Sequence, residues 1–349
     1  MAKNQISSES NFIVGIDLGT SRSAIVTENG VKGVVESIVG WPQDIIGVKV
    51  LGNSIAIGDT AIEFRELLEI SHPLAHGVIK EGVPRDIEAA EELIKHIISL
   101  AEVPEKKKIC GIIGVPAKAS LQSKQILLDL TKKHMHQVTL ISEPFAVAYR
   151  EERLNNSIVI DLGAGTLNFC TMKGRIPDQN NQVSLEKAGN FIDTLLFESL
   201  KNKFPDAQLN LNIVKKLKEK HGTIQRGGGK IVAELRMHGK PRVLDITDEM
   251  ISACSAFVPN MIEEIKKLVI SFDPEFQEEA MKNIILAGGM SKVKGYDAVI
   301  KEALADFGDA QIHIIDDPVY AVAEGALKIG TDIPVKYWSQ LGETAASGK

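Results

Sequence analysis

The stretch Phe12-Ile13-Val14-Gly15-Ile16-Asp17-Leu18-Gly19-Thr20-Ser21-Arg22-Ser23-Ala24-Ile25-Val26 decides how the rest of the chain is read. Phe12 to Ile16 is rich in β-branched residues, and Ala24 to Val26 is apolar again. Two strands joined by a tight turn are predicted. A carboxylate, Asp17, ends the first strand, and a glycine with small polar residues follows. Such a turn presents backbone N–H groups and hydroxyls to a phosphate. Asp17 repels a phosphate directly, so its place there makes sense when a divalent cation lies between them. Alone, the same residues also suit an ordinary hairpin.

The plan occurs twice. Ser157-Ile158-Val159-Ile160-Asp161-Leu162-Gly163-Ala164-Gly165-Thr166-Leu167-Asn168-Phe169-Cys170 is again apolar strand, Asp-Leu-Gly, small polar turn, strand. Self-similarity at a long offset implies a duplicated domain with its ligand between the halves. Each half would supply one aspartate toward a metal.

Composition sets the outer limits. The 349 residues exceed one core of usual size, so two domains are expected. With 44% hydrophobic and 25% charged residues the chain reads as an ordinary soluble globular protein. A formal net charge of -6 argues against nucleic acid or an anionic membrane as partner. Cys110, Cys170 and Cys254 lie far apart in apolar runs, without metal-ligand spacing, and are expected as reduced core residues of a cytoplasmic protein. Met1 to Asn11 has no signal-peptide core, no run reaches transmembrane length, and no direct membrane anchor is evident.

Further along, Val31 to Ile38 and Asp44 to Val50 read as short strands interrupted by Gly40-Trp41-Pro42. Arg85 to Glu102 is an amphipathic helix. Ile109 to Val115 is a strand buried on both faces. Val138 to Ile141 is the next strand, and it delivers Glu143 to the start of a helix, where α/β folds place ligand chemistry. Arg226-Gly227-Gly228-Gly229-Lys230 is no phosphate loop of the Walker type, because Ile224 and Ile231 occupy its required Gly and Ser/Thr positions. Thr247 is expected to cap one long helix from Asp248 to Ile270. Asn283 to Ala287 is a buried strand followed by Gly288-Gly289-Met290, whose glycines would let a flat ligand approach the backbone. A helix from Val319 to Ile329 closes the second half, and the polar tail from Gly342 is expected to fray.

Together these residues resemble the actin-like ATPase superfamily, which includes actin, bacterial filament proteins, Hsp70 chaperones and sugar kinases. Asp17-Leu18-Gly19-Thr20 resembles its first phosphate motif, Asp161 to Thr166 its second, and Gly288-Gly289-Met290 its adenosine motif. Three stretches are similar to the magnetosome-associated bacterial actins: Val39 to Gly47, Ile113 to Ser120 and Lys336 to Gly342. The resemblance implies an α/β, actin-like (ribonuclease H-like) fold of two lobes and four subdomains, with a nucleotide in the interdomain cleft. Its subdomains would be 1–31 with 75–150 and 331–349 (IA), 32–74 (IB), 151–189 with 250–330 (IIA) and 190–249 (IIB).

It further implies ATP or ADP with Mg²⁺, the ion held by Asp17 and Asp161 mainly through water. Gly19, Thr20, Ser21 and Arg22, with Gly163, Ala164, Gly165 and Thr166, would cradle phosphates. Gly288, Gly289 and Met290 would meet the adenosine, and Lys215 or Lys218 the ribose. Glu143 would orient the attacking water, making Glu143 and Asp161 the catalytic pair. Two departures stand out: Asn168 replaces the superfamily's usual Asp, and Arg22 a small or neutral residue or a histidine. Both would make the phosphate pocket more positive and alter hydrolysis. The partners implied are further copies of the chain in a head-to-tail homopolymer, through the small segments, and magnetosome adaptor proteins. An Hsp70-type nucleotide switch and a small-molecule phosphotransferase are the competing readings.

Overall fold

The computed structural model describes residues 11–338 and residue 341. The described residues fall into two compact units. One holds those up to Glu152 together with those from Val319 onward, and the other spans Arg153–Pro318.

In the first unit the chain runs β1 (Asn11–Leu18), β2 (Arg22–Thr27), β3 (Lys32–Glu36), β4 (Val39–Pro42), α1 (Ile45–Leu51), β5 (Ala56–Ile57), α2 (Asp59–Glu63), β6 (Leu68–Ser71), β7 (Leu74–Ala75), β8 (Val78–Ile79), α3 (Pro84–Ser99), β9 (Lys108–Val115), α4 (Leu121–Thr131), β10 (Gln137–Ser142) and α5 (Glu143–Arg150). Its main sheet has the order β10-β9-β1-β2-β3. β1 is parallel to β9 and antiparallel to β2. The apolar face of α3 (Ala90, Leu93, Ile94 and Ile97) is buried with Phe12, Val14 and Ile16 of β1 in one core.

The second unit continues with β11 (Asn155–Leu162), β12 (Leu167–Lys173), β13 (Gln182–Leu185), α6 (Gly189–Lys203), α7 (Leu211–His221), β14 (Val232–Met237), β15 (Lys240–Asp245), α8 (Thr247–Ser255), α9 (Val258–Ile270), α10 (Pro274–Lys282), β16 (Ile284–Ala287), α11 (Tyr296–Ala303) and β17 (Ile312–Ile314). Its sheet has the order β13-β12-β11-β16-β17. β11 is parallel to β16 and antiparallel to β12. Reversed, that order matches the first sheet strand for strand: two parallel pairings on one side of the central strand, two antiparallel pairings on the other. The duplication expected from the repeated hairpin therefore extends to whole sheets. The three cysteines are free and buried.

Four expectations about individual elements need correction. Asp44 to Val50 is not a strand. The Asp44 carboxylate accepts from the Gly47 amide and Gly52 closes the segment in the left-handed conformation, so the two caps make Ile45–Leu51 a helix despite its β-branched residues. Gly40-Trp41-Pro42, expected to break strands, lies inside β4. The helix expected over Asp248 to Ile270 is two, because Pro259 has no N–H to continue the first and sits in the first turn of the second. Thr247 is its first residue rather than its side-chain cap, with its hydroxyl donating to Asp245 Oδ1 at 2.6 Å.

The last expected helix is α12 (Ala321–Asp332), and it belongs to the first unit rather than to the 250–330 segment of the second. It packs on β1, β9 and α5. Small residues allow the approach: a Cβ on Gly15 would sit 2.0 Å from the Ala323 carbonyl oxygen, and one on Gly325 1.9 Å from that of Ala146. The tail from Gly342 lies outside the described residues.

Candidate functional site

The first hairpin joins β1 to β2 with Asp17 opposite Ala24 and Leu18 opposite Ser23. A Cβ on Gly19 would lie 2.4 Å from the Arg22 carbonyl oxygen, so only glycine fits this turn. The turn is fastened from three directions. Ser37 Oγ donates to the Gly19 carbonyl at 2.7 Å and shares a 2.8 Å hydrogen bond with Ser23 Oγ. The Ser37 amide donates to the Ser21 carbonyl at 2.9 Å. The Gly77 amide donates to Thr20 Oγ1 at 2.7 Å.

Gly77 also brings Glu143 into view. Glu143 is the first residue of α5 and is buried. A Cβ on Gly77 would stand 3.6 Å from Glu143 Oε1, and one on Gly114 3.5 Å from Glu143 Cγ. Gly114 is the β9 partner of Asp17. The structure thus gathers Asp17, Gly19, Thr20 and Glu143 at the carboxyl ends of β1, β9 and β10. Arg22 does not stand as a lone cation. Its Nε donates to Glu36 Oε1 at 2.6 Å across the β2–β3 pair, which offsets the charge expected to enrich the pocket.

In the second unit Asp161 lies opposite Asn168 on β11 and β12. Asp161 is buried, and loss of solvent pushes its carboxyl up to about 7. The Gly163 amide closes the turn on the Thr166 carbonyl at 3.0 Å. Asn168 Nδ2 donates to Thr166 Oγ1 at 3.1 Å while its Oδ1 accepts from Ser184 Oγ at 2.8 Å. The carbonyls of Gly163 and Ala164 accept from the amides of Gly189 and Asn190, at 3.2 and 2.8 Å, so the start of α6 is bonded to the turn.

Gly288 follows β16 with φ +78, where a Cβ would lie 2.5 Å from Asp161 Oδ1 and 2.4 Å from the Leu162 carbonyl oxygen. Its glycine is thus explained by crowding against the hairpin. Gly289 is exposed, and a Cβ there would meet nothing within 4 Å. Met290, expected at the adenosine, is a buried core residue whose Sδ would lie 2.8 Å from a Cβ on Gly189.

Of the two lysines expected at the ribose, Lys218 is committed elsewhere. It is buried, 2.9 Å from Asp193 Oδ1, and donates to the Gly189 carbonyl at 2.8 Å. Lys215 is half-buried on the same helix. Sequence reasoning missed Ser37, Gly77, Ser184 and Asp193. Only Gly77, in a His-Gly pair beside short apolar runs, carried a turn signal. The others are recruited by tertiary contact.

Asp17 in the first unit and Asp161 in the second are the carboxylates expected at a metal. Among the described residues no group of three or more His, Cys, Asp or Glu is assembled to cage an ion. A buried carboxylate whose charge is costly, beside a turn of backbone amides, suits an ion that keeps its waters and binds phosphate oxygens, as Mg²⁺ does.

The sequence profile of the MreB/Mbl protein family matches residues 11–335. The actin-like protein MamK of Magnetospirillum gryphiswaldense is 39% identical over 345 residues, 99% of this chain and 96% of that protein. Among solved structures, the MamK double helical filament superposes with a TM-score of 0.90 at 39% identity, covering 93% of this chain and 100% of that one. A non-polymerising mutant of MamK bound to AMPPNP matches with a TM-score of 0.71 at 39% identity, over 92% of this chain and 99% of that one. The paired α/β units are an actin-like fold. No helix among the described residues is long and apolar enough to cross a membrane. With a family profile running from the first strand of the first hairpin to beyond α12, the chain belongs to the MreB/Mbl family of actin-like proteins.

Proposed function

We propose that this chain is a MamK-like bacterial actin. It binds ATP with Mg²⁺, polymerises head to tail with copies of itself, and hydrolyses ATP to loosen the polymer. The observation that carries the reading is the pair of Asp-Leu-Gly hairpins, each at the central strand of one of two sheets with the same strand order. The likeness to MamK and to its filament, which runs along nearly the whole chain, supports the polymer, and the AMPPNP complex of a MamK mutant supports the nucleotide.

In this reading the Gly19–Arg22 and Gly163–Thr166 turns offer amides and hydroxyls to phosphate oxygens. Asp17 and Asp161 hold the waters of Mg²⁺, which supplies charge neutralisation of the phosphates. Glu143, buried beside Gly77 and Gly114, holds the attacking water and accepts its proton. Gly289, the open position of its motif, borders the adenosine, and Lys215 is the remaining candidate for the ribose. The small segments 32–74 and 190–249 carry the longitudinal contacts, and the polymer positions magnetosomes through adaptor proteins. A contact between unlike faces does not close on itself, so it propagates.

The test is sedimentation and negative-stain imaging with ATP and Mg²⁺, wild type beside Glu143→Ala. Filaments are expected in both, with those of the variant persisting. Monodisperse wild type would favour a nucleotide switch or a phosphotransferase.

A further inference from the structure

Gly189 is caught between two partners. Its amide and that of Asn190 hold the carbonyls of the Gly163–Ala164 turn at 3.2 and 2.8 Å. On its other side its carbonyl accepts from Lys218 Nζ at 2.8 Å. The same ammonium lies 2.9 Å from Asp193, one helical turn further along α6. Both side chains are 8% exposed. Gly189 itself has no room for a side chain: a Cβ would meet Met290 Sδ at 2.8 Å, Ala164 Cα at 3.2 Å and the Gly163 oxygen at 3.3 Å.

Burying two opposite charges costs several kcal/mol each in desolvation, and a well-packed apolar pair is often as stable. What this pair does that an apolar pair cannot is fix one carbonyl, at the junction of helix and turn. We propose that Lys218 and Asp193 are positioning residues for the second phosphate turn. Lys218 acts through the Gly189 peptide on Gly163 and Ala164, and does not contact the ribose. Asp193 holds the ammonium in line. Turn amides 1 Å out of place lose much of their grip on a phosphate. The small segment that carries α7 is thereby linked to phosphate binding. This inference rests on the nucleotide reading above.

The test compares two ligands on full-length protein: a fluorescent ATP analogue, and Mg·pyrophosphate, which has no ribose, as its competitor. Melting temperature is followed in parallel. In Lys218→Met both ligands are expected to weaken in parallel, by roughly tenfold or more. A loss confined to the ATP analogue, with pyrophosphate unchanged, would make Lys218 a ribose contact and overturn the proposal. A lowered melting temperature with both affinities intact would reduce the pair to a structural role and overturn it equally. Should Lys218→Met leave Asp193 too costly to bury, the neutral pair Asp193→Asn with Lys218→Met removes that cost. It is expected to fold and still to bind both ligands weakly; wild-type affinity in this variant refutes the role. Wild type binding neither ligand would instead strike at the nucleotide reading itself.

Discussion

Asn168 stands directly across the strand pair from Asp161. Its amide donates to Thr166 Oγ1, which leaves that hydroxyl's proton for a phosphate. An aspartate there would accept the proton instead and add a negative charge beside a carboxyl that burial already pushes up to about 7. Asn168→Asp is therefore expected to change the rate of phosphate release by roughly fivefold or more, given the strength of close charge pairs in a buried site. A colorimetric phosphate assay at fixed Mg²⁺ reads it, and an unchanged rate contradicts the role given to Asn168. Glu143 is the sharper case, a carboxylate buried at a helix start. Glu143→Gln keeps the shape and removes the base, so phosphate release is expected to fall by about a hundredfold or more while nucleotide affinity holds. An equal loss of affinity would show that the carboxylate serves binding and not the water.

At the scale of elements, α12 explains how the first unit is closed. A Cβ on Gly325 would drive into the Ala146 carbonyl of α5 at 1.9 Å, so Gly325→Ala should destabilise the protein by about 2–3 kcal/mol despite alanine's better helix propensity. Urea unfolding measures it. The same helix carries Glu324, which pairs with Lys32 of β3 and takes a 2.5 Å hydrogen bond from Arg150 Nε of α5. Burial pushes Glu324 up, but the hydrogen bonds and charges of Lys32 and Arg150 outweigh it and hold the carboxyl below its ordinary value. A carboxyl lowered in the folded state stabilises most above its unfolded value of about 4.3, and that contribution fades as pH falls through the lower folded value. Melting temperature should thus drop more steeply from about pH 5 to about pH 3 in wild type than in Glu324→Gln; parallel curves would rule the cluster out as an acid-sensitive fastening. These elements also mark what the sequence made legible. The hairpins, α3, β9 and the placement of Glu143 follow from local periodicity and strand ends. The helix α1 was hidden because Ile45, Ile46, Val48 and Val50 speak for a strand, and only its caps speak against it. The assignment of α12 to the first unit and the burial of Lys218 depend on partners far away in sequence, Ala146 and Asp193, which no window of the chain contains.

For the molecule as a whole, duplication accounts for the two units and leaves the polymer to be explained by surface. α1 is the clearest place to look. Ile45 is 84% exposed, Ile46 63%, Val50 54% and Val48 47%. Four apolar side chains on two turns of helix gain nothing from water, and the caps at Asp44 and Gly52 make the helix independent of burying them. The segment lies within 32–74, expected to carry longitudinal contacts, and the likeness to a MamK filament argues that the cover is a second copy of the chain. Position decides the experiment. Ile45 and Ile46 are the first two residues of the helix, where an acidic side chain is favoured by the exposed amides and the macrodipole. Ile45→Asp with Ile46→Glu should therefore leave the fold as stable as before, or slightly more so, while placing two charges in the contact. ATP-dependent pelleting is expected to fall to the level seen without nucleotide, with melting temperature and binding of the ATP analogue unchanged. Since the caps of the helix at Asp44 and Gly52 and the nucleotide turns are untouched by the change, a loss of pelleting reports the surface alone, and undiminished pelleting would remove α1 from the polymer contact.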